Sequence, residues 1–156
     1  MNAKELLILN FEEVRRRSIK VWKGIPEDDL YWRPDPDAMS CFEMIRHVLE
    51  SENIYHHIIL NRGGLNDYES PLTSNPYTTV DDELKHAQPY REKFLKMVHC
   101  FSLKELDEVY ITRKEKGQHR KLGDYLLRVA YHEAVHTGQL LDYLRTIKAP
   151  RANVWD

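Results

Sequence analysis

Cysteine is scarce in this chain of 156 residues, with only Cys41 and Cys100. A pair so far apart builds neither a disulfide framework nor a four-thiolate zinc site, so a reducing, cytoplasmic setting is expected and both thiols read as packing residues. Glycine (6) and proline (7) are also few, which excludes collagen-like and low-complexity chains. Long hydrophobic runs are missing. The opening MNAKELLILNFEEVRRR has an apolar patch broken by Asn10 and Glu12, short of the roughly 18 residues a membrane span needs, so no signal peptide or anchor is expected. An excess of either charge is missing too: 23 Lys+Arg against 25 Asp+Glu leave −2, with no whole-molecule attraction for nucleic acid or an anionic membrane. The basic clusters Arg15-Arg16-Arg17 and Arg113, Lys114, Lys116, Arg120, Lys121 read as solvated faces, the first offset by Glu12 and Glu13. What is present, 42% hydrophobic and 31% charged residues, fits one ordinary globular domain over residues 1–156.

Four periodic segments account for most of the chain. Leu6, Leu7, Phe11, Val14, Val21 and Trp22 fall at helical spacing from Ala3 to about Lys23, before Gly24 and Pro26 stop the pattern. EDDLYWRPDPDAM is a structured connection held down by Leu30 and Trp32. Ser40 and Glu43 form a capping box that opens a second helix, running to about Asn61. Residues 65–79 read as a long surface connection. Thr79 or Asp81 caps a third helix reaching about Cys100, with Pro89 a kink or a sign of a later start. VYIT followed by RKEKGQHRK lacks the alternation of a hairpin and is expected to be a loop. The fourth and most regular helix runs from Leu122 to Ile147. Four apolar stripes of this length predict an all-α four-helix bundle, in which an up-down order is permitted and not required. The three tryptophans read as core and interface area, with Tyr131 and Tyr143 near the inward face of the last helix.

On that helix, YHEAVHTGQLLDYLR sets His132 and His136 one turn apart, near the direction of Tyr125, Val129, Leu140, Tyr143 and Ile147. Two inward imidazoles at that spacing can reach one divalent ion, and neutral imidazole suits zinc and nickel. Without an ion, two core histidines cost desolvation unless neighbours hydrogen-bond them, so a third ligand is the test. On the second helix His47 lies inside the apolar arc and His56 is its rival, whereas His57 turns toward solvent; His86, His99 and His119 carry no signal. The five residues also spell the H-E-x-x-H pattern of zinc peptidases. The short stretch after Ile147 and the absence of a confident strand leave no place for the third ligand and sheet-edged cleft of such an enzyme. Glu133 therefore receives no catalytic role and is expected to bond a ligand or a neighbouring helix.

The segment LYWRPDPDAMSCFEMIRHVLESE, with its Trp-x-Pro connection, Ser40 and His47 seven residues on, together with HEAVHTGQL, resembles the DinB superfamily of DinB-like or YfiT-like metalloproteins. The resemblance covers nearly the whole chain. It implies a four-helix bundle with a three-histidine metal site, makes His47 rather than His56 the first ligand, and makes His132 and His136 the other two. It further implies a divalent cofactor, Zn or Ni foremost, with positions left open for water or substrate. Members include thiol-dependent S-transferases and isomerases that use low-molecular-weight thiols such as bacillithiol or mycothiol, and others described as hydrolases. The expectation is a metal-dependent enzyme, foremost a bacillithiol-type S-transferase, with a small-substrate hydrolase or a non-catalytic metal-binding stress-response protein as alternatives. Its partners would be a small-molecule substrate and a second copy in a homodimer, with no nucleic acid and no membrane.

Overall fold

The computed structural model describes residues 1–156. Helix α1 spans Ala3–Lys23 and starts at Asn2, whose side chain accepts the Glu5 N–H while the Glu5 carboxylate accepts the Asn2 N–H. Helix α2, Cys41–Leu60, opens on the same reciprocal pair between Ser40 and Glu43. Thr79 caps α3, Val80–Cys100, and Pro89 lies inside that helix, not before it. The last helix, α5, covers Leu122–Thr146. Between α3 and α5 stands a one-and-a-half-turn helix α4, Leu103–Glu108, begun by a Ser102–Glu105 capping box.

The segment expected to be a loop is a hairpin. Strands β1 (Tyr110–Arg113) and β2 (Gln118–Lys121) pair antiparallel with Ile111 opposite Arg120, and Gly117 takes the left-handed conformation (φ 61°) that closes the turn. Alternation is faint because Ile111 is the one fully buried side chain of the ribbon. Tertiary contact holds it instead. The Thr112 N–H bonds the Arg62 carbonyl at 3.0 Å, the Leu122 N–H bonds the Val109 carbonyl at 2.8 Å, and Tyr110 stacks on His119. Close approach to the end of α2 needs Gly63 at φ 144°, where a Cβ would lie 1.9 Å from the Thr112 carbonyl oxygen.

Side-chain pairs give the helix directions. Arg15–Glu133 and Ser18–Thr137 advance together, so α1 and α5 are parallel. Arg46–Glu83 and Glu52–Arg91 make α2 and α3 parallel. Lys4–His99 and Lys23–Asp81 set α1 against α3, and His47–His136 and Tyr55–Tyr125 set α2 against α5. Neighbours around the bundle are thus α1, α5, α2 and α3, and the order is not up-down-up-down. Because α2 and α3 run the same way, residues 61–79 must travel back along α2. Tyr68 bonds Asn53, Ser70 bonds Glu50 and Arg46 bonds the Asn75 carbonyl on that return, each at 2.7 Å.

The core has two apolar halves. One gathers Trp22, Phe42, Ile45, Leu140 and Leu144; the other gathers Phe11, Ile58, Phe94, Tyr125 and Leu126. A charged layer separates them, formed by Arg15, Glu52, Arg91 and Glu133, one from each long helix and all under 10% exposed. Arg15 was expected on a solvated face with Arg16 and Arg17. It is instead buried against two carboxylates, 2.7 Å from Glu133 and 3.4 Å from Glu52. Arg91 bonds Glu52 and the Phe11 carbonyl. Two cations and two anions at one level satisfy one another, which charges so deeply buried require.

Candidate metal centre

At the level of that layer, α2 contributes His47, and α5 contributes His132 and His136. The Nε2 atom of His132 is 3.1 Å from that of His47 and 3.1 Å from that of His136, and all three ligand atoms fall within 4.8 Å of one another. An ion bound at about 2.0–2.1 Å to each nitrogen would space them by about 2.9 Å at right angles and about 3.4 Å in a tetrahedron, so the donor set fits a divalent cation. The Nδ1 of His136 faces Gln139 Oε1 at 2.7 Å. An amide oxygen only accepts, so the proton sits on Nδ1 and the lone pair of Nε2 is left for a ligand bond. Burial, then the neighbouring His136 and His47, push the His132 pKa down to about 4; burial and His136 also lower that of His47, against the pull of Glu50. Both rings therefore stand as neutral imidazole near pH 7, the form that binds metal. All three rings are half-buried, which leaves the group open on one side.

The other histidines do not join it. His56 is buried on the far side of α2 against Phe94, with His57 beside it, and its Nδ1 has no partner. His57, expected toward solvent, is half-buried beneath Tyr68 of the returning connection, at 5.0 Å between rings. His86, His99 and His119 are exposed.

Glu133 turns away from the trio. Both its oxygens are taken by Arg15, Nε to Oε1 at 2.7 Å and Nη2 to Oε2 at 3.0 Å. Around the histidines stand residues that spacing did not single out. Tyr55 faces His132 at 6.0 Å between rings and covers the buried Tyr125. Arg128, one turn before His132 on α5, lies against Tyr125. Gln139 was legible as the third residue after His136, a spacing that brings side chains together on a helix. Tyr131, expected near the inward face, is 72% exposed, and Tyr143 packs edge-on against Trp32. Trp22 is fully buried as expected, whereas Trp155 is 92% exposed.

Fold and site together define a helical bundle that gathers three imidazoles from two antiparallel helices. The sequence pattern of the DinB superfamily matches residues 10–140, and the chain belongs to that superfamily. It is 24% identical over 140 residues to YjoA of Bacillus subtilis strain 168, covering 89% of this chain and 87% of YjoA. The crystal structure of that DinB-like protein superposes with a TM-score of 0.69 at 21% identity, covering 95% of each chain. YfiT of Bacillus subtilis, described as a probable metal-dependent hydrolase with an unusual four-helix bundle topology, gives 0.76 at 13% identity, covering 94% of this chain and 89% of YfiT. A protein from Exiguobacterium sibiricum 255-15 assigned to the DinB family gives 0.69 at 17% identity and 99% coverage of both chains. The four-helix architecture expected from the sequence is thus the architecture of its relatives. No helix is long and apolar enough to cross a membrane.

Proposed function

We propose that the chain is a cytoplasmic metal-dependent enzyme that attaches a low-molecular-weight thiol, through its sulfur, to a small electrophilic substrate in place of that substrate's leaving group. The observation that carries this reading is the convergence of His47, His132 and His136 on one point with a side open to solvent. A Zn²⁺ or Ni²⁺ held by three neutral imidazoles keeps its full double charge and supplies Lewis acidity, lowering the pKa of a thiol or of water brought to it. Gln139 holds His136 in the required tautomer, Tyr55 packs beside His132, and the Arg15–Glu133 pair braces the helix that carries two of the imidazoles. Because Glu133 is engaged by Arg15, the H-E-x-x-H glutamate does not serve as a general base. A thiol, ionising near pH 8.5 when free, depends far less on such a base than water does, which favours thiol transfer over hydrolysis.

Hydrolysis of a small substrate is the second reading, favoured by the description of YfiT. Elemental analysis of protein purified without a chelating column should find about one ion per chain, lost in His47→Ala, His132→Ala and His136→Ala. Metal-loaded protein should then conjugate bacillithiol or another small thiol to monobromobimane faster than metal-free protein. Metal-dependent ester cleavage with no thiol turnover would select the hydrolase, and neither activity would leave a metal-binding protein.

A further inference from the structure

Each fully buried arginine of this protein has a glutamate: Arg15 has Glu133, Arg46 has Glu83 and Arg91 has Glu52. Arg128 has none. It is half-buried, its Nε lies out of contact with solvent without a hydrogen-bond partner, and its guanidinium carbon is 5.7 Å from the centroid of the Tyr125 ring. Asp124, one turn earlier on the same helix, is already taken by Arg120 at 3.0 Å. Arg113, the other cation near Tyr55, is engaged by Glu115 at 2.8 Å. A half-buried guanidinium with an orphaned Nε–H and no carboxylate partner is free to take an anion.

Its position says which anion. Arg128 precedes His132 by four residues, so the two side chains rise from the same face of α5 about 6 Å apart. Tyr55 closes the same corner, with its ring near both His132 and Tyr125. Burial raises the Tyr55 pKa, while the charge and a hydrogen bond of Arg128, and the charge of Arg113, pull it down. The planar fork of arginine matches a carboxylate through two parallel hydrogen bonds.

We propose that Arg128 recognises a carboxylate on the small molecule that reaches the histidine trio, so the preferred substrate is an acid. The inference rests on reading the trio as the reactive centre. Arg128 is thereby a specificity residue, distinct from the ligand set and from the charged layer.

The test compares 3-mercaptopropionate with neutral 3-mercapto-1-propanol by titration calorimetry on zinc-loaded wild type, Arg128→Met and Arg128→Lys, each checked for helix content and zinc stoichiometry. Wild type should bind the acid about tenfold more tightly than the alcohol. Arg128→Met should lose that preference while holding the alcohol unchanged, and Arg128→Lys should keep part of it. No preference in wild type, or one that survives in Arg128→Met, overturns the proposal. If neither thiol binds, the thiol reading fails separately, and succinate followed by NMR decides the role of Arg128. Perturbation of its side-chain Nε–H in wild type, with saturable binding lost in Arg128→Met, supports the site; no perturbation overturns it. Should Arg128→Met fail to fold, the wild-type preference and Arg128→Lys carry the decision.

Discussion

Arg15 of α1 grips Glu133 of α5 with two parallel hydrogen bonds, Nε to Oε1 at 2.7 Å and Nη2 to Oε2 at 3.0 Å, at a depth where both side chains are under 10% exposed. This pair fixes the register of two parallel helices. It also turns the residue next to His132 away from the histidine trio. Glu133→Gln should therefore keep the metal stoichiometry of wild type and lose stability, by about 3 kcal/mol, because Arg15 retains only Glu52 as a charged partner. Arg15→Met combined with Glu133→Met should recover part of the loss. Urea unfolding alongside elemental analysis reads both quantities, and loss of metal from a folded Glu133→Gln would refute the separation of roles.

Gln139 acts through His136. Gln139→Ala should leave the fold intact and weaken metal affinity by about tenfold or more, the effect of removing a partner that orients a ligating imidazole. Competition against a chromogenic chelator measures it. His56→Ala, on the far side of α2, should leave affinity unchanged and serves as the control.

Cys41 is fully buried, and burial, then nearby Asp29, push its thiol from an ordinary 9.0 up to about 11. Between those values the folded chain keeps a proton that the unfolded chain has released, so stability is full below about pH 9 and falls as pH rises toward 11. Cys41→Ala should flatten this alkaline limb, as read by urea unfolding from pH 8 to 11. At pH 8 iodoacetamide should modify the exposed Cys100 first and leave Cys41 intact.

Gly63 lets the hairpin approach α2. Gly63→Ala sets a Cβ against the Thr112 carbonyl oxygen and requires φ 144° of a residue that rarely adopts it, so it should cost about 2–4 kcal/mol. Hydrogen exchange should localise the damage to residues 110–121, with the Thr112 amide losing protection first.

Along the α1–α5 face Leu6, Leu127, Tyr131 and Val135 remain 41–72% exposed. The homodimer expected from the family resemblance would use this stripe, since apolar side chains on adjacent helices suit a self-complementary face. Sedimentation should report a dimer, and Leu127→Glu with Tyr131→Glu should yield a folded monomer; a monomeric wild type would reject the arrangement.

Local chemistry alone determined the long helices and the spacing of two imidazoles. Capping boxes at Ser40–Glu43, apolar periodicity and the four-residue step from His132 to His136 depend on neighbours within one or two turns, so a linear reading recovers them. The first helix ends at Lys23 and the second begins after Ser40, as their caps imply. Three features were beyond that reach. His47 and His56 both lie on broad inward arcs, and only the rotation of α2 against α5 decides that His47 meets the pair while His56 meets Phe94. Arg15 reads as part of a solvated basic cluster and Glu133 only as a residue that bonds a ligand or a neighbouring helix; with Glu52 and Arg91 they become a buried layer only where four helices bring two cations and two anions to one level. The hairpin has a weak pattern because contact with Arg62 and α5, not its own alternation, keeps it in place. Secondary structure is set by interactions close along the chain. The partner of a buried charge and the third member of an imidazole cluster are set by residues 37 to 118 positions away, through packing that a periodicity cannot encode.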